Sequence, residues 1–187
     1  INVLSELGLS QSDEYVIFRL ISWSATHDSQ NLNKSKSESI LSVIKKMEEL
    51  KIKVFISSEA VLSEELEKYK IKIKPSRLHD ALAFAKLYIG EGGTTATEAC
   101  LLATPSIIIN EQAKKMGVHQ KLQNNYELQY YFDNIDDAKD KIFELLETVD
   151  LKLLWLKKRD RFISENINPT EFLIDFVVNH QWKNKNE

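Results

Sequence analysis

Short apolar runs alternate with amphipathic stretches along most of the chain, and this alternation limits the possible fold more than any single motif does. Residues 15–22 are rich in β-branched and aromatic side chains and read as a buried strand. Similar runs recur at 53–57, 71–73, 87–89, 106–109 and 128–132. Between them, helical spacing is expected over 38–50, 62–69, 78–85, 96–103, 114–124 and 136–148. In the first of these Ile40, Leu41, Val43, Ile44, Met47 and Leu50 are close to helical spacing. A polar loop is expected over 23–35, and the Ser, Asn and Lys mixture at 31–39 reads as a mobile loop leading into that helix. Strands that are apolar on both faces and separated by helices need crossover connections and cover on both sides. The expected fold is therefore α/β, a doubly wound parallel sheet.

The alternation stops near residue 150. Residues 151–163 and 170–182 read as two helices with no strand between them, broken at Asn168-Pro169. We divide the chain into a sheet domain, 1–150, and a pair of carboxyl-terminal helices, 151–187, which either cap the sheet or reach toward a domain outside this chain. With 187 residues there is enough chain for one ample domain. The 25 basic and 28 acidic side chains leave a net charge of -3, so no general attraction to nucleic acid is expected, and an anion site would have to be local. No apolar run approaches the roughly 18 residues of a membrane-spanning segment. The single cysteine, Cys100, excludes an internal disulfide framework and fits a reducing compartment, the cytoplasm. The start lacks an initiator Met and is already amphipathic, as in a piece of a longer protein.

In an open α/β sheet, ligands collect beyond the carboxyl ends of the strands. The segments there are Ser22 to Asp28, Ser57-Ser58-Glu59, Gly90 to Thr95 and Asn110-Glu111, all polar. The third is the most informative, since Gly90, Gly92 and Gly93 are three of the chain's five glycines and precede a helix. A turn of this kind lets backbone N–H groups approach a phosphate, and the helix start directs its positive end at the same place. It is not a P-loop, having no Gly-Lys-Ser/Thr ending. It also reads Gly90-x-Gly92-x-x-Thr95 where a dinucleotide fingerprint needs a third glycine, although Glu111 is spaced for a ribose contact.

Individual residues keep two readings. Thr95-Ala-Thr-Glu98 has the form of a capping box, which local sequence favours; the alternative places the Glu98 carboxylate on two ribose hydroxyls. His27 and Asp28 are either a solvated residue beside a cap or a contact to an anionic ligand. Trp23 either fills a strand end or stacks on a sugar or base. Glu59 either begins a helix or faces the ligand, and His79 is either a capped, partly buried residue or one near the strand ends. Trp155 and Trp182 are expected to pack, and the charges at 157–161 to form a solvated helix face. The four histidines lack metal-site spacing, so no metal is expected.

The order of these motifs carries a resemblance. Gly92-Gly-Thr-Thr-Ala-Thr-Glu98-Ala followed by Ala103-Thr-Pro105 resembles the donor-binding segment of GT-B nucleotide-sugar enzymes, with Ala103 where the family has glycine. The wider set, Phe18 to Asp28, Ile56 to Glu59 and Leu78-His79-Asp80-Ala-Leu, is similar to a narrower prokaryotic family of unknown function that resembles glycosyltransferases and UDP-N-acetylglucosamine 2-epimerase. The resemblance runs from about Val3 to Phe176. It implies a Rossmann-like domain forming the carboxyl-terminal half of a GT-B protein, with the final helices packing toward an amino-terminal domain outside this chain. Gly92, Gly93, Thr94 and Thr95 would hold the diphosphate and Glu98 the ribose. Trp23, His27, Asp28, Glu59 and His79 would line the rest of the substrate site.

The function so implied is binding of a nucleoside diphosphate sugar, UDP-linked, for glycosyl transfer, with the nucleotide-sugar as substrate and no cofactor. Two alternatives stay open: a UDP-sugar 2-epimerase or hydrolase, and a non-catalytic nucleotide- or protein-binding module. The catalytic groups are unassigned, and this chain alone is expected to be inactive.

Overall fold

The computed structural model describes residues 3–21, 29–59 and 61–179. Strands β1 (Tyr15–Leu20), β2 (Lys53–Ser58), β3 (Leu87–Gly90), β4 (Ser106–Ile109) and β5 (Gln129–Phe132) form one sheet in the order β2-β1-β3-β4-β5. Every neighbouring pair is parallel. The helices are α1 (Val3–Glu6), α2 (Ser29–Glu49), α3 (Glu64–Glu67), α4 (Leu78–Phe84), α5 (Gly93–Leu101), α6 (Gly117–Asn124), α7 (Ile135–Glu147), α8 (Leu151–Glu165) and α9 (Pro169–Asn179).

The strands show why the sheet is doubly wound. Side chains of a strand alternate between faces, and here both sets are apolar. On β1, Val16 and Phe18 join one core with Ile40, Val43, Ile44 and Met47 of α2. Tyr15 and Ile17 join the other, with Ala81 and Leu82 of α4. Leu87 and Ile89 against Tyr88 repeat the pattern on β3, and Ile107 against Ile108 on β4. α5 serves both cores, with Cys100 in the first and Ala96 and Ala99 in the second. Each large aliphatic side chain so buried contributes about 1.5–3 kcal/mol.

Two expectations need correction. Residues 71–73 do not form a strand; the segment meets the sheet only through a parallel bridge between Lys70 and Ile56, with Ile71 N donating to Ile56 O at 2.9 Å. Lys70, Lys72 and Lys74 alternate with Ile71 and Ile73, and Pro75 follows, so the segment has the charged and interrupted character of a sheet edge. The expected mobile loop at 31–39 is instead helical, because α2 begins at Ser29. Lys is a good helix former and Ser and Asn are only middling ones, so tertiary contacts decide the outcome. Lys36 pairs with Glu91, and Ser39 Oγ donates to Asp136 at 2.9 Å, extending the helix beyond its buried face.

At the carboxyl-terminal side, α8 packs onto the sheet domain. Trp155 is 3% exposed and its Nε1 donates to Leu128 O at 2.9 Å. α9 differs: Phe172, Leu173, Ile174, Val177 and Val178 are all more than half exposed, and Phe172 stacks on Phe176 of the same helix. Trp182 lies outside the described residues. No helix among the described residues is long and apolar enough to cross a membrane.

Cys100 is fully buried, with Sγ 3.0 Å from Ser106 Oγ and 3.3 Å from Leu128 O. Burial pushes its thiol from the ordinary 9.0 up to about 12. The native state therefore keeps a proton that the unfolded chain loses above pH 9, and this contribution to stability falls as pH rises from 9.0 toward 12. The native thiol should resist iodoacetamide at pH 8 and react freely in urea; alkylation of the native protein at the rate of a free thiol would contradict the burial.

Candidate functional site

The strand order places a topological switch between β1 and β3. From β1 the chain moves toward β2, and from β3 it moves the other way, toward β4. The backbone diverges at their carboxyl ends and leaves a crevice, the usual ligand position in such sheets. Arg19 pairs in register with Gly90 at this point. The glycine turn is thus beside the carboxyl end of β1; Trp23, His27 and Asp28, which follow β1 in the sequence, lie outside the described residues.

The turn and α5 differ from the sequence expectation in one decisive detail. The helix begins at Gly93 with Gly92 as N-cap, and no side chain caps it. Thr95 is inside the first turn and 9% exposed, so Thr95-Ala-Thr-Glu98 is not a capping box. The cap reading fails because the glycines let the helix start three residues earlier. The first amides of α5 consequently have neither intrahelical nor side-chain capping partners. Glu98 lies a turn and a half into the helix, where Oε2 is 3.2 Å from His79 Nε2. His79, on α4, keeps 62% of its side chain exposed, against the expectation of a partly buried residue.

The three glycines have different reasons to be glycine. At Gly90 an added Cβ would collide with the hydroxyl of Tyr88 and come within 3.1 Å of Arg19 O. At Gly93 it would lie 2.5 Å from His119 Nε2. At Gly92 it would meet only Ile21 Cγ2, at 3.9 Å, and a φ of -88° suits any residue. Packing explains Gly90 and Gly93; at Gly92 neither packing nor backbone conformation requires a glycine.

A cleft of about 340 Å³ runs along α5. Gly93, Thr94, Thr97, Glu98 and Leu101 form one wall and Ala113, Met116, Val118 and His119 the other, with Ile108 and Asn110 between them. It combines an apolar lining with a few polar groups, as small-molecule sites do. Glu59 stands elsewhere, paired with Arg19 at the ends of β1 and β2, where Arg19 also donates to Ser57 Oγ at 2.9 Å. Among the described residues, no cluster of His, Cys, Asp and Glu could hold a metal ion.

Glu91, which the sequence reading passed over, is the most buried acid of the site at 3% exposure. Its Oε2 accepts from Ile21 N at 3.0 Å, its Oε1 pairs with Lys36, and its carbonyl accepts from Asn110 Nδ2 at 3.2 Å. It thereby joins the ends of β1, β3 and β4 to α2. His119 was also passed over, and its lone position in a helical stretch gave no signal of its contact with Gly93.

Gly92→Ala should leave stability nearly unchanged, because a weaker cap and a less flexible unfolded chain offset each other at about 1 kcal/mol each. Gly93→Ala should cost about 1–3 kcal/mol by displacing His119. Urea unfolding of both variants checks this; equal losses would remove the distinction drawn between the two glycines.

No protein-family model matches the sequence, and no curated protein sequence matches it. Solved structures do match the fold. Spinosyn rhamnosyltransferase SpnG complexed with thymidine diphosphate is 16% identical with a TM-score of 0.56, over 89% of this chain and 47% of its own. The glycosyltransferase SnogD from Streptomyces nogalater is 15% identical, with a TM-score of 0.59 over 89% and 43%. A protein described as a candidate UDP-N-acetylglucosamine 2-epimerase from Listeria monocytogenes is 10% identical, with a TM-score of 0.57 over 91% and 46%. This chain spans less than half the length of each. The fold is the Rossmann-like α/β fold of GT-B carboxyl-terminal domains, followed by two helices.

Proposed function

We propose that this chain is the nucleotide-sugar-binding half of a GT-B glycosyltransferase and takes a nucleoside diphosphate sugar, UDP-linked, as substrate. The observation that carries this reading is the uncapped start of α5 at the switch point, with Glu98 released from capping and lining the adjacent cleft. The amides of Gly92, Gly93, Thr94 and Thr95 face the diphosphate, and the positive end of α5 stabilises the charge that develops as it departs. Thr95 acts there through its backbone, since its side chain is buried. Glu98 accepts from the ribose hydroxyls, with His79 beside it. Trp23, His27 and Asp28 face the sugar from the loop after β1, and Glu59 completes the strand-end rim.

The exposed apolar side chains of α9 support the second part of the proposal. An apolar helix face of this extent is stabilised when another surface covers it. We assign that cover to another domain of a longer protein, which also brings the acceptor and the catalytic groups. The likeness to the Listeria monocytogenes protein favours a second reading, a UDP-sugar 2-epimerase or hydrolase using the same donor pocket.

Isothermal titration of the full-length protein with UDP, UDP-sugars and other nucleotides separates both readings from a module that binds no nucleotide. The expected result is binding of a nucleoside diphosphate; absence of binding to all of them removes the proposal. Glu98→Gln should weaken that binding about tenfold, the size of a lost hydrogen bond to a charged group. Its unfolding midpoint should stay nearly unchanged, because the exposed pair with His79 contributes little. Residues 1–187 alone should show no steady turnover of UDP-sugars, and turnover would show that the site is complete within this chain.

A further inference from the structure

His119 has no part in the roles assigned above, yet its placement is unusual for a packing residue. It belongs to α6 and is 2% exposed. Its Nδ1 lies 3.3 Å from Oε1 of Gln129 on β5, itself fully buried, which fixes the ring from behind. Its Nε2 makes no hydrogen bond to another described residue and is directed at Gly93, with the imidazole occupying the space a side chain there would need. Both residues line the cleft. A buried imidazole with one nitrogen held and the other turned to the uncapped first turn of a nine-residue helix is arranged around whatever that turn binds.

The hydrogen-bonding chemistry limits what this can be. The start of α5 offers only donors. His119 presents a further N–H at Nε2 in two ways. As imidazolium it donates Nδ1–H to Gln129 Oε1 and keeps Nε2–H free. As the neutral ring it does so when Gln129 is turned so that its Nε2–H donates to Nδ1. That arrangement also satisfies Gln129 Nε2, which is otherwise buried without an acceptor. Donors converging from helix and imidazole suit an oxygen-rich anion, while the acceptor Glu98 further along the same wall suits hydroxyl groups.

We propose that His119 binds the substrate, donating from Nε2 to a phosphoryl oxygen of the nucleoside diphosphate held at the start of α5. This rests on the donor-site reading and adds a contact to it. It also gives Gly93 a second purpose, since a side chain there would displace the imidazole from the anion.

The test is titration of the full-length protein and its variants with UDP and with uridine, which has no phosphate. His119→Ala should bind UDP about tenfold more weakly with uridine affinity unchanged, and His119→Gln, which keeps an N–H donor, should recover part of the loss. Equal weakening for UDP and uridine, or no weakening, overturns the proposal and leaves His119 as packing. If the wild-type protein binds neither UDP nor inorganic pyrophosphate, the donor-site reading itself falls and carries this inference with it. Should the variants fail to fold, nitrogen-15 NMR of the wild-type protein replaces them. The His119 Nε2 resonance should move on addition of inorganic pyrophosphate, and a resonance that stays in place overturns the contact.

Discussion

The parallel pairing of β1 with β3 is the constraint on which the rest of the molecule depends. It brings Arg19 level with Gly90 and then forces the two chains apart, one toward α2 and the other toward α5. Backbone groups at such a divergence lose their ladder partners and need others. Glu91 supplies them: its carboxylate accepts from Ile21 N, its amide donates to Arg19 O at 3.2 Å, and Lys36 balances its charge. A carboxylate this deeply buried is costly without such partners. Its effect is positional, holding the ends of β1 and β3 at a fixed separation so that Gly92 and the start of α5 face the crevice.

The two ends of α5 are treated in opposite ways. Its carboxyl end is closed by α8, since Arg159 donates to Leu101 O at 3.2 Å and Lys152 to Leu102 O at 2.8 Å. Cations there satisfy the last carbonyls and suit the negative end of the helix dipole. The chain then turns through Ala103 at a φ of 56°, in the left-handed region where the GT-B pattern has glycine. An alanine costs about 1–2 kcal/mol in that conformation, a cost offset in part by its fully buried methyl group. The amino end has no such closure. α8 therefore fixes the helix from behind and leaves its donors facing the cleft.

What could be read in the sequence follows the range of the interactions involved. The strands at 87–89 and 106–109 and the helix at 136–148 were legible because their apolar periodicity is local and undisturbed. The segment at 71–73 has strand composition, but whether it pairs beyond one bridge depends on an edge that no local pattern encodes. The helical run at 31–39 is held by Glu91 and Asp136, more than fifty residues further along the chain. The glycine turn was legible as a donor of backbone amides. That Gly93 also makes room for His119 was not, because the two residues meet only once α6 lies against β5 and α5.

The register of α5 shows how a short motif can be read correctly as a pattern and wrongly as a structure. A capping box needs Thr95 outside the helix and Glu98 at its third position. Starting the helix at Gly93 moves Thr95 into that third position and Glu98 to the sixth. The side chains are unchanged, but their geometry is not. Thr95 turns into the interior, and Glu98 comes to lie on the wall of the cleft within reach of His79. The bare backbone at Gly92, which packing does not require, allows the early start without a capping side chain. Amides and carboxylate are thereby released together, as the proposed contacts to a diphosphate and a ribose require. A single shift in helix register thus turns an end cap into an open surface on which the proposed donor site depends.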